Sequence, residues 1–269
     1  MANTILSDDF LSQPACDITA QKVDFTKTEI PEMSSLYACV IDNAISKEEC
    51  QLLIKAAEAT CDGTWERAMV KTGANKHAAY EETRKCGRII WDSQDVANRI
   101  WKRIAHLPEV QEILRLESRP RITGIGPIKK GEVWTLSRPN ERMRFLKYVG
   151  GEYFRPHCDG MYQHPETKER SYFTLHLYLN DSGAPPEEEL ANMTAEARSG
   201  IMANVTIGGA TRFHAMDMKR QYDVDPKAGR ILLFQQRDTM HSGDDVVQGV
   251  KYTMRTDLMY AGEKLESEK

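Results

Sequence analysis

At Pro108 the hydrophobic period of this chain changes, and that change limits the folds open to it. Upstream, apolar residues recur at helical spacing. Ser46-x-x-Glu49 is a capping box with Ile45 placed to staple onto Cys50. It predicts a helix from Lys47 to about Thr60 that buries Cys50, Leu53, Ile54 and Ala57. Ser93 caps a second predicted helix, Gln94 to about His106, with Val96, Ile100, Trp101 and Ile104 facing inward. Between them Cys86 to Trp91 is a strand candidate and Asp62 to Lys85 reads as a long loop. Downstream the texture is β: Arg142 to Val149, Tyr172 to Leu179, Thr211 to His214, Ile231 to Phe234 and Lys251 to Tyr260 are rich in branched and aromatic residues and are separated by turn residues. Helices first and strands afterwards predict an α+β, mainly β chain, with helices packed outside a sandwich or barrel.

Composition agrees with one folded unit. The chain has 269 residues, 41% hydrophobic and 28% charged, enough to bury a sizeable core. A net charge of -4 with no basic stripe argues against nucleic acid as a partner. No apolar run approaches the roughly 18 residues that span a bilayer, and Met1 to Phe10 lacks a basic region followed by an apolar one, so neither membrane nor export is expected. Six cysteines without a C-x-x-C pair fit a reducing, cytoplasmic setting. The expected layout is an N-terminal arm over 1–34 and a domain over 35–262. The domain has its core at about 140–260 and an insertion at about 181–203, and a polar tail covers 263–269. Oligomeric state is not legible.

The chemistry concentrates in Tyr153-Phe154-Arg155-Pro156-His157-Cys158-Asp159-Gly160 and, far downstream, Met240-His241-Ser242-Gly243. Residues two apart on a strand share a face, so His157 and Asp159 can offer a nitrogen and an oxygen to one metal, with His241 arriving from a neighbouring strand. Two imidazoles and one carboxylate on one face of an octahedron leave positions open, as in non-haem Fe(II) oxygenases. An H-x-D triplet alone is a weak signal, since it arises often by chance and Asp159-Gly160 also reads as a turn. His77, His106, His164 and His214 are assigned structural roles, and His176 is left as a pocket-lining candidate.

What raises the triplet above chance is the order of features around it. Arg142 to Gly160, Tyr172 to Asn180, Gly208 to Phe213 and Gly229 to Tyr260 together resemble the prolyl 4-hydroxylase-like branch of the Fe(II)/2-oxoglutarate dioxygenases, with 36–107 resembling the usual support helices. The resemblance implies a double-stranded β-helix (jelly-roll) core. It also implies Fe(II) held by His157, Asp159 and His241, 2-oxoglutarate as co-substrate, and ascorbate as an auxiliary cofactor. It implies a basic residue on the last core strand for the far carboxylate of 2-oxoglutarate. Lys251 stands at that position, and Arg255 shares its strand face by the two-residue period, so either can be the anchor. Tyr148 and Tyr178 match positions that help hold the co-substrate, although core packing is the commoner fate of a strand tyrosine.

The implied reaction converts 2-oxoglutarate and O₂ to succinate and CO₂ while oxidising an organic substrate. A carboxylate at position 159 favours hydroxylation over halogenation. A small molecule is favoured over a prolyl residue in a protein, and the segments 62–85, 119–139 with Trp134, and 181–203 are expected to rim the mouth. Two other classes remain: a zinc hydrolase, disfavoured by the absence of H-E-x-x-H, and a catalytically silent binding module of the same fold.

Overall fold

Eight strands divided four and four between two facing sheets make the core of the computed structural model, which describes residues 5–13, 17–68, 70–73, 76–78, 82–184 and 193–264. In chain order these are β10 (Arg142–Val149), β11 (Tyr153–His157), β12 (Arg170–Tyr178), β14 (Thr211–His214), β15 (Gln221–Val224), β16 (Ile231–Gln235), β17 (His241–Gly243) and β19 (Val250–Lys264). The major sheet carries β16-β12-β19-β10 and the minor sheet β15-β14-β17-β11, every pairing antiparallel. This is the connectivity of a double-stranded β-helix, and it places β11 and β17 side by side opposite β12 and β19.

One face of the major sheet is apolar because α1 (Lys47–Glu58) and α2 (Gln94–Ile104) cover it. Cys50, Leu53, Ala57, Ile100 and Ile104 join Phe145, Leu175, Leu233 and Met254 in one buried cluster. Each such side chain contributes about 1.5–3 kcal/mol of burial. The capping box at Ser46 and the Ser93 cap form as expected, Ser46 Oγ accepting from Glu49 N and Ser93 Oγ from Val96 N. Arg103, in the last turn of α2, is buried as well and donates to Glu49 at 2.6 Å, tying the two helices together.

The N-terminal arm lies on the domain as an added strand. β1 (Thr19–Lys22) pairs with β2 (Ala38–Asp42), which in turn pairs with β16, so the arm extends the major sheet. Phe10, Leu11, Phe25 and Ile30 are buried. These anchors act singly, without a repeating period, so no periodic signal marks them. Residues 1–4 and 14–16 lie outside the described set.

Three expectations need correction. The span 62–85 is not one long loop: it contains the short strands β3 (Glu66–Arg67), β4 (Val70–Gly73), β5 (Lys76–Ala78) and β6 (Arg84–Lys85), followed by β7 (Gly87–Asp92). β3 pairs with β7 and β6 with β11, while residues 69, 74–75 and 79–81 are outside the described set. The span 119–139 does not line the cleft at the triad. After short helical turns at Pro120–Thr123 and Ile125–Lys129 it forms β9 (Glu132–Pro139), which pairs with β19 and, through β8 (Arg115–Leu116), caps the sheet edge. Trp134 is buried there against Tyr172, which removes it from the mouth. Finally, β19 runs on to Lys264, so the start of the expected tail is strand and 265–269 lie outside the described set.

The insertion is an excursion with adjoining ends. Gly183 N donates to Thr206 O at 2.8 Å and Ser182 Oγ to Gly208 O at 2.8 Å. Its described part is α3 (Ala195–Asn204), capped by Thr194, followed by β13 (Ile207–Gly208) paired with β18 (Val246–Gln248). Pro185, Pro186, the three glutamates and the start of the expected helix at Leu190 fall within 185–192, outside the described residues. No helix among the described residues is long and apolar enough to cross a membrane.

Candidate metal centre

The antiparallel register of the minor sheet sets His157 at the end of β11 directly opposite His241 at the start of β17. Their rings lie 4.4 Å apart between centroids. Asp159 is not on the strand, as the two-residue period supposed. β11 stops at His157, and the segment that follows turns Asp159 across to the major sheet. There Thr174 Oγ1 on β12 donates to Asp159 Oδ2 at 2.6 Å, and Arg255 Nη1 on β19 pairs with Asp159 Oδ1 at 2.7 Å. One ligand-capable atom from each of His157, Asp159 and His241 falls within 4.8 Å of the other two, and this is the one such group of three found among the described residues.

The two imidazoles are oriented alike. His157 Nδ1 lies 2.9 Å from Arg155 O and His241 Nδ1 3.0 Å from Thr239 O, contacts that require Nδ1 to carry the proton. Each Nε2 is thereby left as a lone pair aimed at the Asp159 carboxylate, at 3.5 Å from His157 and 3.8 Å from His241. His157 Nε2 is buried and has no hydrogen-bond partner. Two lone pairs and a carboxylate facing one point repel one another unless a cation sits between them, so this donor set fits a divalent metal. Burial works to raise the Asp159 pKa, yet the Arg255 guanidinium at 2.7 Å holds it well below the ordinary carboxylate range. Burial, partly opposed by Asp159, pulls His241 down to about 4, which keeps its ring neutral near pH 7.

A narrow cleft of about 30 Å³ reaches the triad, walled by Arg84, Leu146, Tyr148, Phe154, His176, Thr211, Phe234, Lys251 and Arg255 among others. Wider surface clefts exist, one of them beside Phe10, Arg99 and His106, but these do not contain the triad. Phe154 stacks on His157 with centroids 3.6 Å apart, and Phe234 meets His241 edge-on at 4.7 Å, so the imidazoles are clamped by apolar rings.

Lys251 and Arg255, which the strand period could not separate, have different surroundings. Lys251 is buried opposite Tyr148 in the β10–β19 register. Its Nζ lies 5.2 Å from the Tyr148 ring and 5.8 Å from the Tyr178 ring, with no acceptor in hydrogen-bond reach among the described residues. Burial draws its pKa down to about 8. Gly209 makes room for its stem: at φ +77° the backbone suits glycine, and a Cβ there would stand 2.9 Å from Lys251 Cδ. Arg255, by contrast, is committed to Asp159 and reaches Asp257 at 3.6 Å.

Tyr148 lines the cleft, whereas Tyr178 does not: its hydroxyl is 2.6 Å from Thr211 Oγ1, and Thr211 forms that part of the wall. His176 lines the cleft as supposed, with Nε2 buried and unpartnered and its pKa driven well down by burial, then by Lys251 and Arg255. His164 and His214 have structural roles, accepting turn amides and contacting Ser242 Oγ respectively. The side chain of His77 is outside the description. Sequence reasoning missed Arg84, Thr174, Phe154 and Thr211. Thr174 had a usable signal, two residues before His176 on the same strand face, but Arg84 sat in an aperiodic stretch that offered none.

Residues 143–256 match the family model described as 2OG-Fe(II) oxygenase superfamily. No curated protein matches the chain. Among solved structures, a Pseudomonas putida prolyl-4-hydroxylase is similar at 15% identity and TM-score 0.49, over 87% of this chain and 95% of that one. The viral collagen prolyl hydroxylase of Paramecium Bursaria Chlorella virus-1 is similar at 19% identity and TM-score 0.46, over 83% and 96%. A Trichoplax adhaerens prolyl hydroxylase, solved with a hypoxia inducible factor peptide fragment, is similar at 14% identity and TM-score 0.48, over 87% and 85%.

Proposed function

Residues 143–256 belong to the 2OG-Fe(II) oxygenase superfamily, and from that premise we propose that this 2-oxoglutarate-dependent dioxygenase oxidises a small organic molecule at His157, Asp159 and His241. The observation that carries the assignment is the convergence of two Nε2 lone pairs on an ionised, buried carboxylate with no proton donor between them. When bound there, Fe(II) together with 2-oxoglutarate and O₂ supplies the oxidising chemistry, and the products are succinate, CO₂ and the hydroxylated substrate.

The chain's own residues do the rest. The carbonyls of Arg155 and Thr239 fix both imidazoles in the ligating tautomer. Thr174 and Arg255 hold the Asp159 carboxylate in place and keep it ionised. Lys251, with its ammonium free of any protein acceptor, receives the far carboxylate of 2-oxoglutarate, and Tyr148 flanks it. Arg255 is the weaker candidate for that task because its guanidinium is already paired. Leu146, Phe154 and Phe234 wall the site with apolar surface that excludes water from the reacting atoms.

The test is succinate formation from 2-oxoglutarate with Fe(II), in the wild type and in His157→Ala and His241→Ala. Both variants should lose at least 100-fold in turnover. Either one retaining near wild-type activity would show that the ligands lie elsewhere. The histidines are better probes than the aspartate, because removing Asp159 also takes from Arg255 its shorter ion pair and leaves it only Asp257 at 3.6 Å, which perturbs the fold on its own account.

A further inference from the structure

Two guanidinium groups, one lining the cleft and one on the neighbouring strand, form no ion pair among the described residues. Arg84 on β6 lines the cleft, with its Cζ 4.5 Å over the ring of Phe154, the same ring that stacks on His157. Arg88 on β7 stands in register with Leu146, another wall residue. The Nε atoms of both arginines are buried and make no hydrogen bond. Among the described residues neither has an ion pair, whereas four arginines of these strands and their neighbours do. Arg144 bonds Asp257, Arg255 pairs with Asp159, Arg67 with Glu152, and Arg155 with Asp245. Glu66, the register partner of Arg88 on β3, makes no ion pair with it.

Both side chains are half-buried, with Nε already shut off from water, so an anion entering the cleft can pair with them at little further desolvation cost and complete the wall. The co-substrate does not supply it. The far carboxylate of 2-oxoglutarate is assigned to Lys251, its 2-oxo acid end belongs at the metal, and its two negative charges cancel only the two positive charges of Fe(II). The excess of Arg84, Arg88, Arg144, Lys251 and Arg255 over Asp159 and Asp257 is therefore the same after both have bound.

We infer that Arg84 and Arg88 form the recognition site for a free carboxylate on the molecule that is oxidised, so that the true substrate is a small carboxylic acid. The inference rests on the dioxygenase reading above and narrows it. Planar guanidiniums bind carboxylates through paired, parallel hydrogen bonds, which orients the rest of the molecule as well as holding it. Seated there, the acid presents a neighbouring C–H bond toward the triad, with Phe154 spacing the carboxylate away from His157. The balance is that of hydroxylation: substrate C–H, O₂ and 2-oxoglutarate become substrate C–OH, succinate and CO₂.

The experiment measures stimulated succinate release for a panel of free α-amino acids and short monocarboxylic acids, each against its primary amide, with a blocked prolyl peptide alongside. Calorimetry on the protein loaded with 2-oxoglutarate measures binding of the same acid and amide pairs without requiring turnover. Acids are expected to stimulate and to bind while their amides do not. In Arg84→Gln and in Arg88→Gln, the acid-over-amide ratio of kcat/KM, or of affinity, should fall at least tenfold. Each ratio is taken within one protein, so a general loss of folded enzyme does not imitate the effect. Amides or the blocked peptide working as well as acids, or a ratio unchanged in both variants, would overturn the inference. Absence of succinate with every compound would count against the dioxygenase reading instead, and the acid-over-amide affinity would still decide this one.

Discussion

His157 and His241 use the same device: each gives its Nδ1 proton to the carbonyl two residues upstream and thereby frees Nε2. The H-x-D triplet and the distant histidine were legible because their residue types are rare enough together to stand out in context. The device was not, since it depends on backbone carbonyls that no side-chain pattern encodes. Lys251 and Arg255 illustrate the same boundary. The strand period places both on one face, but only the fold brings Asp159 across to occupy Arg255 and leave Lys251 free. Two outcomes follow for Lys251. Lys251→Ala should weaken 2-oxoglutarate binding about 10- to 100-fold, the loss of a charge-assisted contact worth about 1.5–3 kcal/mol. In the wild type the amine titrates at about 8 in the free cleft, depressed by burial. A bound carboxylate favours its protonated form. Binding above that pH therefore takes up a proton, and affinity should fall by up to about tenfold per pH unit between about 8 and 10.5. Calorimetry in two buffers of different ionisation enthalpy measures the uptake. Equal affinity at both ends of that window would mean that Lys251 is not the anchor.

Elements with an unbroken pattern were placed well. β10 and β14 occupy the spans that alternation assigned to them, and α1 begins at its capping box. Elements whose reasons are non-local were missed. β9 carries Glu132, Arg138 and Pro139 in a run too mixed to read as a strand, and it is one because β19 extends far enough to pair with it. The short strands β3 and β6 exist because β7 and β11 offer them edges, so Arg84 reached the site from a stretch that looked structureless. The insertion tests this view of what supports the core. Its two ends are hydrogen-bonded to each other at Gly183 and Thr206, so the core strands on either side are closed without it. Replacing Pro185 to Arg198 with a short Gly/Ser linker should leave 2-oxoglutarate affinity within about twofold, because loop-closure entropy changes by only about 0.6 kcal/mol per doubling of length. Turnover of the true substrate is where any effect belongs, since loops on a rigid scaffold carry specificity. Loss of 2-oxoglutarate binding by the trimmed protein would show that the segment supports Lys251 and Gly209, and would move the insertion into the core.

Across the whole molecule the candidate centre is a seam between two sheets. His157 and His241 stand on the minor sheet, whereas Asp159, sent over from β11, is gripped by Thr174 and Arg255 of the major sheet. The sheets are otherwise held together by apolar contacts such as Phe213 on Phe234. A divalent ion bound by all three side chains is thus a cross-link between layers, and in its absence the two imidazole lone pairs and the carboxylate push the layers apart. Metal should stabilise the fold as well as enable chemistry. At a free concentration 100 times its Kd, a metal that binds only the folded state adds about 2.7 kcal/mol. With about 2–4 °C per kcal/mol for a chain approaching this size, Tm should rise by about 5–10 °C. Mn(II), which resists oxidation by air, is the ion to use in a thermal melt. The rise should vanish in His157→Ala and in His241→Ala, while the metal-free Tm of those variants should be equal to or above that of the wild type, because each deletion removes a lone pair that faces Asp159. A metal-free Tm that drops sharply in both would mean that the histidines support the fold directly, and a metal-induced rise surviving in both would place the ion outside this seam.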